Sequence, residues 1–371
     1  MMDSKFFDVM VVGAGPGGAA AAKRCAEKGL RTLLLEKKQL PRDKVCSGMV
    51  MGKWACQIIQ EEFGPIPESV LTDPPSLSGH RFYVGAAEPQ TLRWPTALSW
   101  RKDLDFWMVQ GALKSGVIMR DGARVSSVTP VKEGCRITLR EGSGKKGGTE
   151  ALHARFVIGA DGAASVVRRS IFPELKVRFS GPIREFYRGA LNLEKDIFHW
   201  FFPKGLPRPR FNVNHKGNGF LIEGSGLREL RKEIGETLSP YGFDPNGKPE
   251  WTDGCAISLL HDDLLSGAFK PARKNVLLTG DAAGLILPIT FEGIGSALKS
   301  GILAAEAISK HFDDESQAAS FYLKSLDAML ETIRRLCKVQ HDLKDVSEGG
   351  ADLLAKALRD AYRETLVIQE T

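Results

Sequence analysis

No apolar run in this chain approaches the roughly 18 residues a membrane-crossing helix needs, so no transmembrane segment is expected. A first strand is expected from about Asp8, which leaves no room for a signal peptide. Cysteine is sparse. Cys25, Cys46, Cys56, Cys135, Cys255 and Cys337 are scattered, with no C-x-x-C and no His-rich spacing. That pattern argues against a disulfide framework, a zinc site or an iron–sulfur cluster, and for free thiols in a reducing compartment. No internal repeat and no nucleic-acid-binding motif is present, so nucleic acid is not expected as a partner. A cytoplasmic location is expected, with a peripheral membrane surface as the alternative. What remains is ordinary for a globular chain of 371 residues with 43% hydrophobic and 26% charged residues, enough for two to three domains. The net charge of +6 is uneven: residues 176–216 hold 9 Lys/Arg against 3 Asp/Glu, and residues 313–371 hold 8 against 12. The basic stretch suits a diphosphate, an acyl-CoA or an anionic headgroup, or it is simply a solvated face.

Against this background three signatures stand out. Asp8–Val12 reads as a buried strand, and Gly13-Ala14-Gly15-Pro16-Gly17-Gly18 follows it. In this G-x-G-x-x-G spacing Gly13 makes the turn, Gly15 lets the backbone approach a pyrophosphate, and Gly18 lets helix and strand pack closely. A helix over 19–28 offers its positive end to the phosphates. A second strand over 30–35 ends at Glu36, followed by Lys37; Glu36 stands where a carboxylate accepts bonds from ribose hydroxyls. The second signature is Gly159-Ala160-Asp161-Gly162-Ala163-Ala164-Ser165-Val166-Val167-Arg168, and the third is Thr279-Gly280-Asp281-Ala282-Ala283-Gly284. An Asp281 at a strand end can bond the ribityl hydroxyls of FAD, a group NAD lacks, or cap a helix. Pro288 and Gly293-Ile294-Gly295 then open a helix to about Lys310, whose free N–H groups suit the electron-rich edge of a reduced flavin. Together these predict FAD as the cofactor. Asp161 and Gly162 follow a strand end, where Asp161 reads as a turn residue.

The signatures are far apart, so the fold expected is α/β: a discontinuous Rossmann-type FAD-binding domain (1–75, 99–175 and 265–312), an antiparallel-sheet substrate domain (76–98 and 176–264) and C-terminal helices over 313–371. Residues 141–148 read as a flexible turn. Strands are expected at 189–193, 198–202 and 219–223, and helices at 227–238, 315–343 and 351–368. In the helix over 315–343, Tyr322, Leu326, Met329, Leu330, Ile333, Leu336 and Leu343 form one stripe, which reads as core packing.

The three motifs resemble the flavoprotein group that includes para-hydroxybenzoate hydroxylase, flavin halogenases and geranylgeranyl reductases. Two further stretches are similar to the geranylgeranyl reductase family: Pro41-Arg42-Asp43-Lys44-Val45-Cys46-Ser47-Gly48, with Ser47 where many members carry Gly, and Phe198-His199-Trp200-Phe201-Phe202-Pro203. Trp100-Arg101-Lys102-Asp103-Leu104-Asp105 looks like the family's Arg-x-x-x-Asp element. The resemblance implies that the loop carrying Cys46 and Ser47 lies beside the flavin, that Arg101 reaches the pyrophosphate or ribityl chain, and that the backbone at Val125 meets adenine. It implies for Asp161, as the alternative to a turn residue, a place with Gly162 near the pyrophosphate and the approach of a nicotinamide donor. It implies that Phe198, Trp200, Phe202 and Pro203 lie against an isoprenoid. By alternation alone Phe198, Trp200 and Phe202 share one strand face, which is an apolar slot or an ordinary core face. Cys46, with Arg42 and Lys44 close by favouring a thiolate, is a candidate proton donor or a packing thiol. The activity implied is FAD-dependent reduction of a carbon–carbon double bond in an apolar, isoprenoid-like substrate, with NAD(P)H or ferredoxin as electron donor. The alternatives are a monooxygenase or halogenase on the same fold, although no Trp-x-Trp-x-Ile-Pro motif is present, and a non-catalytic FAD-binding protein.

Overall fold

The computed structural model describes residues 6–140, 148–203, 205–207 and 210–367. The turn expected at 141–148 falls almost wholly outside the described residues. Five strands, wholly buried at Val276–Leu278 and Thr32–Leu35 and partly exposed at the Ile118–Arg120 edge, make a parallel sheet in the order Val276–Leu278, Thr149–Gly159, Phe6–Val12, Thr32–Leu35, Ile118–Arg120. Helices cover it, as continuous apolar strands require. The hairpin Arg124–Val131/Gly134–Arg140 extends antiparallel from Thr149–Gly159.

Register places the motifs. Val12 pairs with both Leu35 and Gly159, and Gly159 pairs with Leu278. The residues that follow (Gly13, Glu36, Ala160 and Thr279) therefore emerge together at the carboxyl end of the sheet, where open α/β sheets bind ligands.

A second, eight-stranded sheet runs Trp251–Gly254, Ile183–Arg188, Gly219–Gly224, Phe211–Lys216, Ile197–Phe202, Leu71–Val84, Gln90–Ser99, Met49–Val50. It is antiparallel except where Ile197–Phe202 lies parallel to Leu71–Val84, because the chain between them crosses through the first sheet. One face packs with Leu230, Ile234 and Leu238 into a separate apolar cluster. The other carries Phe198, Trp200 and Phe202 towards the main core.

Several local expectations shift. The first helix starts earlier, at Pro16, with Gly15 as its N-cap. The strand expected at 189–193 is Ile183–Arg188; Gly189, at φ 100°, ends it. The helix expected from 227 begins at Arg231, because Gly226 at φ 74° turns the chain and Leu227 and Leu230 drop into the core. The helix over 315–343 is two, Glu315–Ser325 and Asp327–Ser347. At the break the Ser325 hydroxyl donates to Phe321 O at 2.8 Å, competing with the backbone ladder. The stripe keeps its place: Tyr322, Leu326, Met329, Ile333, Leu336 and Leu343 are buried. Tyr322 donates to Leu278 O at 2.6 Å, tying this helix to the sheet. Tyr322→Phe is expected to lower stability by about 1–2 kcal/mol in urea titration, because a buried carbonyl loses its side-chain donor. Among the described residues no helix is long and apolar enough to cross a membrane.

Candidate active site

A cavity of about 1130 Å³ opens between the carboxyl end of the parallel sheet and the aromatic face of the second sheet. The three glycines of the first turn have different tasks. Gly13 sits at φ 104°, and a Cβ there would lie 2.4 Å from Ala160 O. A Cβ on Gly18 would lie 1.8 Å from Gly13 O. Both positions are reserved for glycine by the fold itself. Gly15 is different: its backbone is extended (φ −85°, ψ −173°), and the nearest atoms to a Cβ are guanidinium nitrogens of Arg101 and Arg42, each 3.9 Å away. An open glycine at a helix N-terminus, flanked by two cations, fits a pyrophosphate.

Those cations are held in place by Asp105, which is 1% exposed. Arg101 donates to it at 2.7 and 3.0 Å, and Arg42 at 2.9 Å. Arg42 also donates to Ala14 O at 3.1 Å and pairs with Glu36 at 3.0 Å. Glu36 accepts from Ala14 N and Lys38 N, so it braces the turn as well as facing the cavity. Lys37 and Val125 line the same end.

Asp161 and Gly162 reach the cavity, but the Asp161 carboxylate is taken up locally. It accepts from Ser165 Oγ at 2.5 Å, Val166 N at 2.6 Å and Val167 N at 3.2 Å, which makes it a cap for the helix Val166–Ile171. Arg168 stitches the second motif to the third, donating to Ala163 O, to Asp281 O at 3.3 Å and to Ala282 O at 2.8 Å. Asp281 behaves oppositely to Asp161. Its carboxylate faces the cavity and accepts no hydrogen bond among the described residues, and burial pushes its pKa up despite Lys44, Arg101 and Arg168 nearby. Thr279 Oγ1 beside it is buried and has no partner among the described residues. Two such groups fit the hydroxyl-rich ribityl chain of FAD.

Gly293 and Ile294 line the cavity, whereas Pro288 does not. The helix Ile294–Lys310 is not bare at its start: Glu292 Oε1 accepts from Gly295 N at 2.7 Å. Burial drives the Glu292 carboxyl up to about 7, against the pull of the backbone donors at Gly295 and Ile294. In the sequence its signal is an acid just before a helix start.

Cys46 and Ser47 both line the cavity. Of the two cations suggested by proximity in sequence, Lys44 lines the same cavity and Arg42 is committed elsewhere. Arg42 is engaged with Glu36 and Asp105, and the loop is clamped by Arg184, which donates to Cys46 O at 2.5 Å, and by Lys216. Lys216 is fully buried, donates to Ser47 O and, at 2.8 Å, to Ser99 O, and stands 4.2 Å from the Trp100 ring. Burial pushes its ammonium pKa down, with Glu223 and Cys46 opposing. Gly48, at φ 74°, packs so closely that a Cβ would meet Ser99 O at 1.8 Å.

On the facing wall Phe198 and Trp200 line the cavity. Phe202 lies behind them, beneath the Arg210 guanidinium, and Pro203 follows the strand end without reaching the cavity. The C-terminal helix adds Tyr362, whose ring packs 4.9 Å from Trp200. Nothing in the sequence pairs positions 200 and 362. Part of the basic stretch over 176–216 is neutralised: Arg178 pairs with Asp262, Arg184 with Asp253 and Arg188 with Glu250, while Lys216 is buried.

Known proteins match this arrangement. A family model described as FAD dependent oxidoreductase matches residues 8–64, and one described as FAD binding domain matches residues 67–196. The chain is 27% identical over 370 residues to digeranylgeranylglycerophospholipid reductase 2 of Methanopyrus kandleri, covering 95% of this chain and 90% of that one. It is 27% identical to the chloroplastic geranylgeranyl diphosphate reductase of Arabidopsis thaliana, covering 90% of this chain and 73% of the other. The crystal structure of a geranylgeranyl bacteriochlorophyll reductase-like protein from Thermoplasma acidophilum superposes with a TM-score of 0.70 at 20% identity, covering 97% and 96% of the two chains. With the three motifs, the Cys46 loop and the aromatic strand on one cavity, the chain is an FAD-dependent oxidoreductase similar to the geranylgeranyl reductases.

Proposed function

We propose that this protein saturates carbon–carbon double bonds of an isoprenoid or similarly apolar substrate. The observation that carries this reading is that Cys46 and the aromatic pair Phe198 and Trp200 line one cavity with the glycine turns. The names of the relatives, which are reductases of geranylgeranyl compounds, support it. When bound and reduced, by NAD(P)H or ferredoxin, FAD would supply the hydride. Gly13, Gly15, Pro16 and Arg101 would hold its pyrophosphate, Glu36 and Val125 its adenosine end, Asp281 its ribityl chain, and Gly293 and Ile294 its ring. Phe198 and Trp200 would orient the substrate and exclude water. An isolated alkene accepts hydride poorly, so a proton must lead or accompany it. The Cys46 thiol, on a loop pinned by Arg184 and Lys216, would donate that proton. The nearby guanidinium of Arg101 would steady the thiolate left behind.

The test is anaerobic photoreduction of the FAD-loaded protein followed by mixing with prenyl lipids. Reoxidation should accompany the gain of two hydrogens per double bond by mass spectrometry. Cys46→Ala should retain FAD and lose about 100-fold or more in turnover; unchanged turnover removes Cys46 from the chemistry.

A further inference from the structure

The cavity wall formed by the second sheet has a polar row set by register. Asp253 pairs with Arg184, Arg184 with Glu223, Glu223 with Asn212 and Asn212 with Trp200, so these five side chains stand side by side across five strands. The ends of the row are occupied. Arg184 donates to Asp253 at 2.9 and 2.6 Å and to Cys46 O, and the Trp200 indole donates to His80 Nδ1 at 3.3 Å. The middle is not. Glu223 and Asn212 are 9% and 8% exposed and both line the cavity, yet Glu223 Oε1 and Asn212 Oδ1 have no hydrogen-bond partner among the described residues. Buried acceptors are nearly always satisfied, and two unsatisfied neighbours facing one cavity point to a donor on a ligand.

The surroundings select the donor. A substrate ammonium would stand beside Arg184, Arg210 and Lys216. A phosphate would stand against the Glu223 carboxylate, while Arg184 and Lys216 already serve Asp253 and the Cys46–Ser47 loop and Arg210 donates to Ile289 O at 2.9 Å. A neutral hydroxyl avoids both conflicts, since its one proton can go to Glu223 Oε1 or to the neighbouring Asn212 Oδ1 while its oxygen accepts from the Asn212 amide N–H. We propose that Glu223 and Asn212 form a hydroxyl-reading subsite, so that the preferred ligand is an apolar chain bearing an alcohol. This rests on the isoprenoid reading of the same cavity: the hydroxyl belongs to the molecule lying along Phe198 and Trp200.

The test is equilibrium titration of the FAD-loaded protein, read by flavin absorbance and tryptophan fluorescence. The probes are geranylgeraniol, its methyl ether and geranylgeranyl diphosphate, with hexadecanol and its methyl ether as a straight-chain pair. Each alcohol should bind at least about tenfold more tightly than its ether, and geranylgeraniol more tightly than the diphosphate. Asn212→Leu should lower the alcohol-to-ether ratio without abolishing it, because Glu223 Oε1 remains to accept the hydroxyl proton. It should also raise the melting temperature of the ligand-free protein, because an unpaired buried acceptor gives way to an apolar group; a misfolded variant would show the reverse. An alcohol preference on the straight chain without binding of the prenyl pair supports the subsite and removes the isoprenoid reading. Equal affinity for alcohol and ether, tighter binding of the diphosphate, or no binding by either pair overturns the subsite.

Discussion

Gly15→Val should fold normally and fail to hold FAD, whereas Gly18→Val should not yield a folded protein. The two glycines are three residues apart in one motif, and the structure separates their roles. Gly15 has an extended backbone that valine adopts without strain, with nothing but the ends of Arg42 and Arg101 within 4 Å of a Cβ. The fold loses at most about 1 kcal/mol at that N-cap. A pyrophosphate drawn to the same helix end, however, would meet two methyl groups instead of open backbone. The expected loss in FAD affinity is about 100-fold or more, about 2.7 kcal/mol, read by equilibrium dialysis beside a melting curve of the apoprotein. At Gly18 the Cβ would lie 1.8 Å from Gly13 O, a clash with backbone that only separation of strand and helix relieves. A cost above about 4 kcal/mol is expected, a large fraction of a typical domain's stability. Should Gly15→Val bind FAD as wild type does, the glycine turn would not be where the pyrophosphate sits, and the cofactor assignments around it would fall.

Glu292→Gln should stabilise the protein at alkaline pH and change little in acid. Burial raises the Glu292 carboxyl from the ordinary 4.5 to about 7. Below 4.5 the group is protonated in folded and unfolded chains alike, and its contribution is fully present. Between 4.5 and 7 the unfolded chain releases a proton that the folded one keeps, so stability falls as pH rises. Above 7 the whole penalty applies, about 3 kcal/mol for a shift of this size. Glutamine keeps an oxygen to accept the 2.7 Å bond from Gly295 N and carries no charge to bury. Urea denaturation should therefore show a gain below about 1 kcal/mol at pH 5 that grows to about 3 kcal/mol at pH 8. A gain independent of pH would mean that Glu292 stays ionised in the fold and that its neighbours stabilise the charge.

The fold class was readable because its signals are local. A short apolar strand, a glycine turn and a helix recur at residues 6–27, and strand ends at Gly159 and Leu278 announce their own turns. The aromatic alternation over 198–202 needed only a period of two. Misplaced boundaries, at 189–193 and 227, lay where a single glycine with positive φ reset the chain. Asp161 and Asp281 show the limit more sharply. Each follows a buried strand beside a glycine, yet one carboxylate is consumed by a helix cap and the other faces the cavity unbonded.

By itself the sequence determined the parallel sheet, the three turns and the loop and strand that carry the resemblance, since each is a short-range pattern whose geometry follows from adjacent residues. Tertiary structure decided which charges meet. Lys216 beneath Ser47, Arg184 on the Cys46 carbonyl, Arg168 between two motifs, and Glu223 beside Asn212 join positions 11 to 169 residues apart. Strand register and burial bring such groups together, and burial also sets their charge, because a carboxylate or ammonium out of water takes its character from whatever the packed chain places next to it.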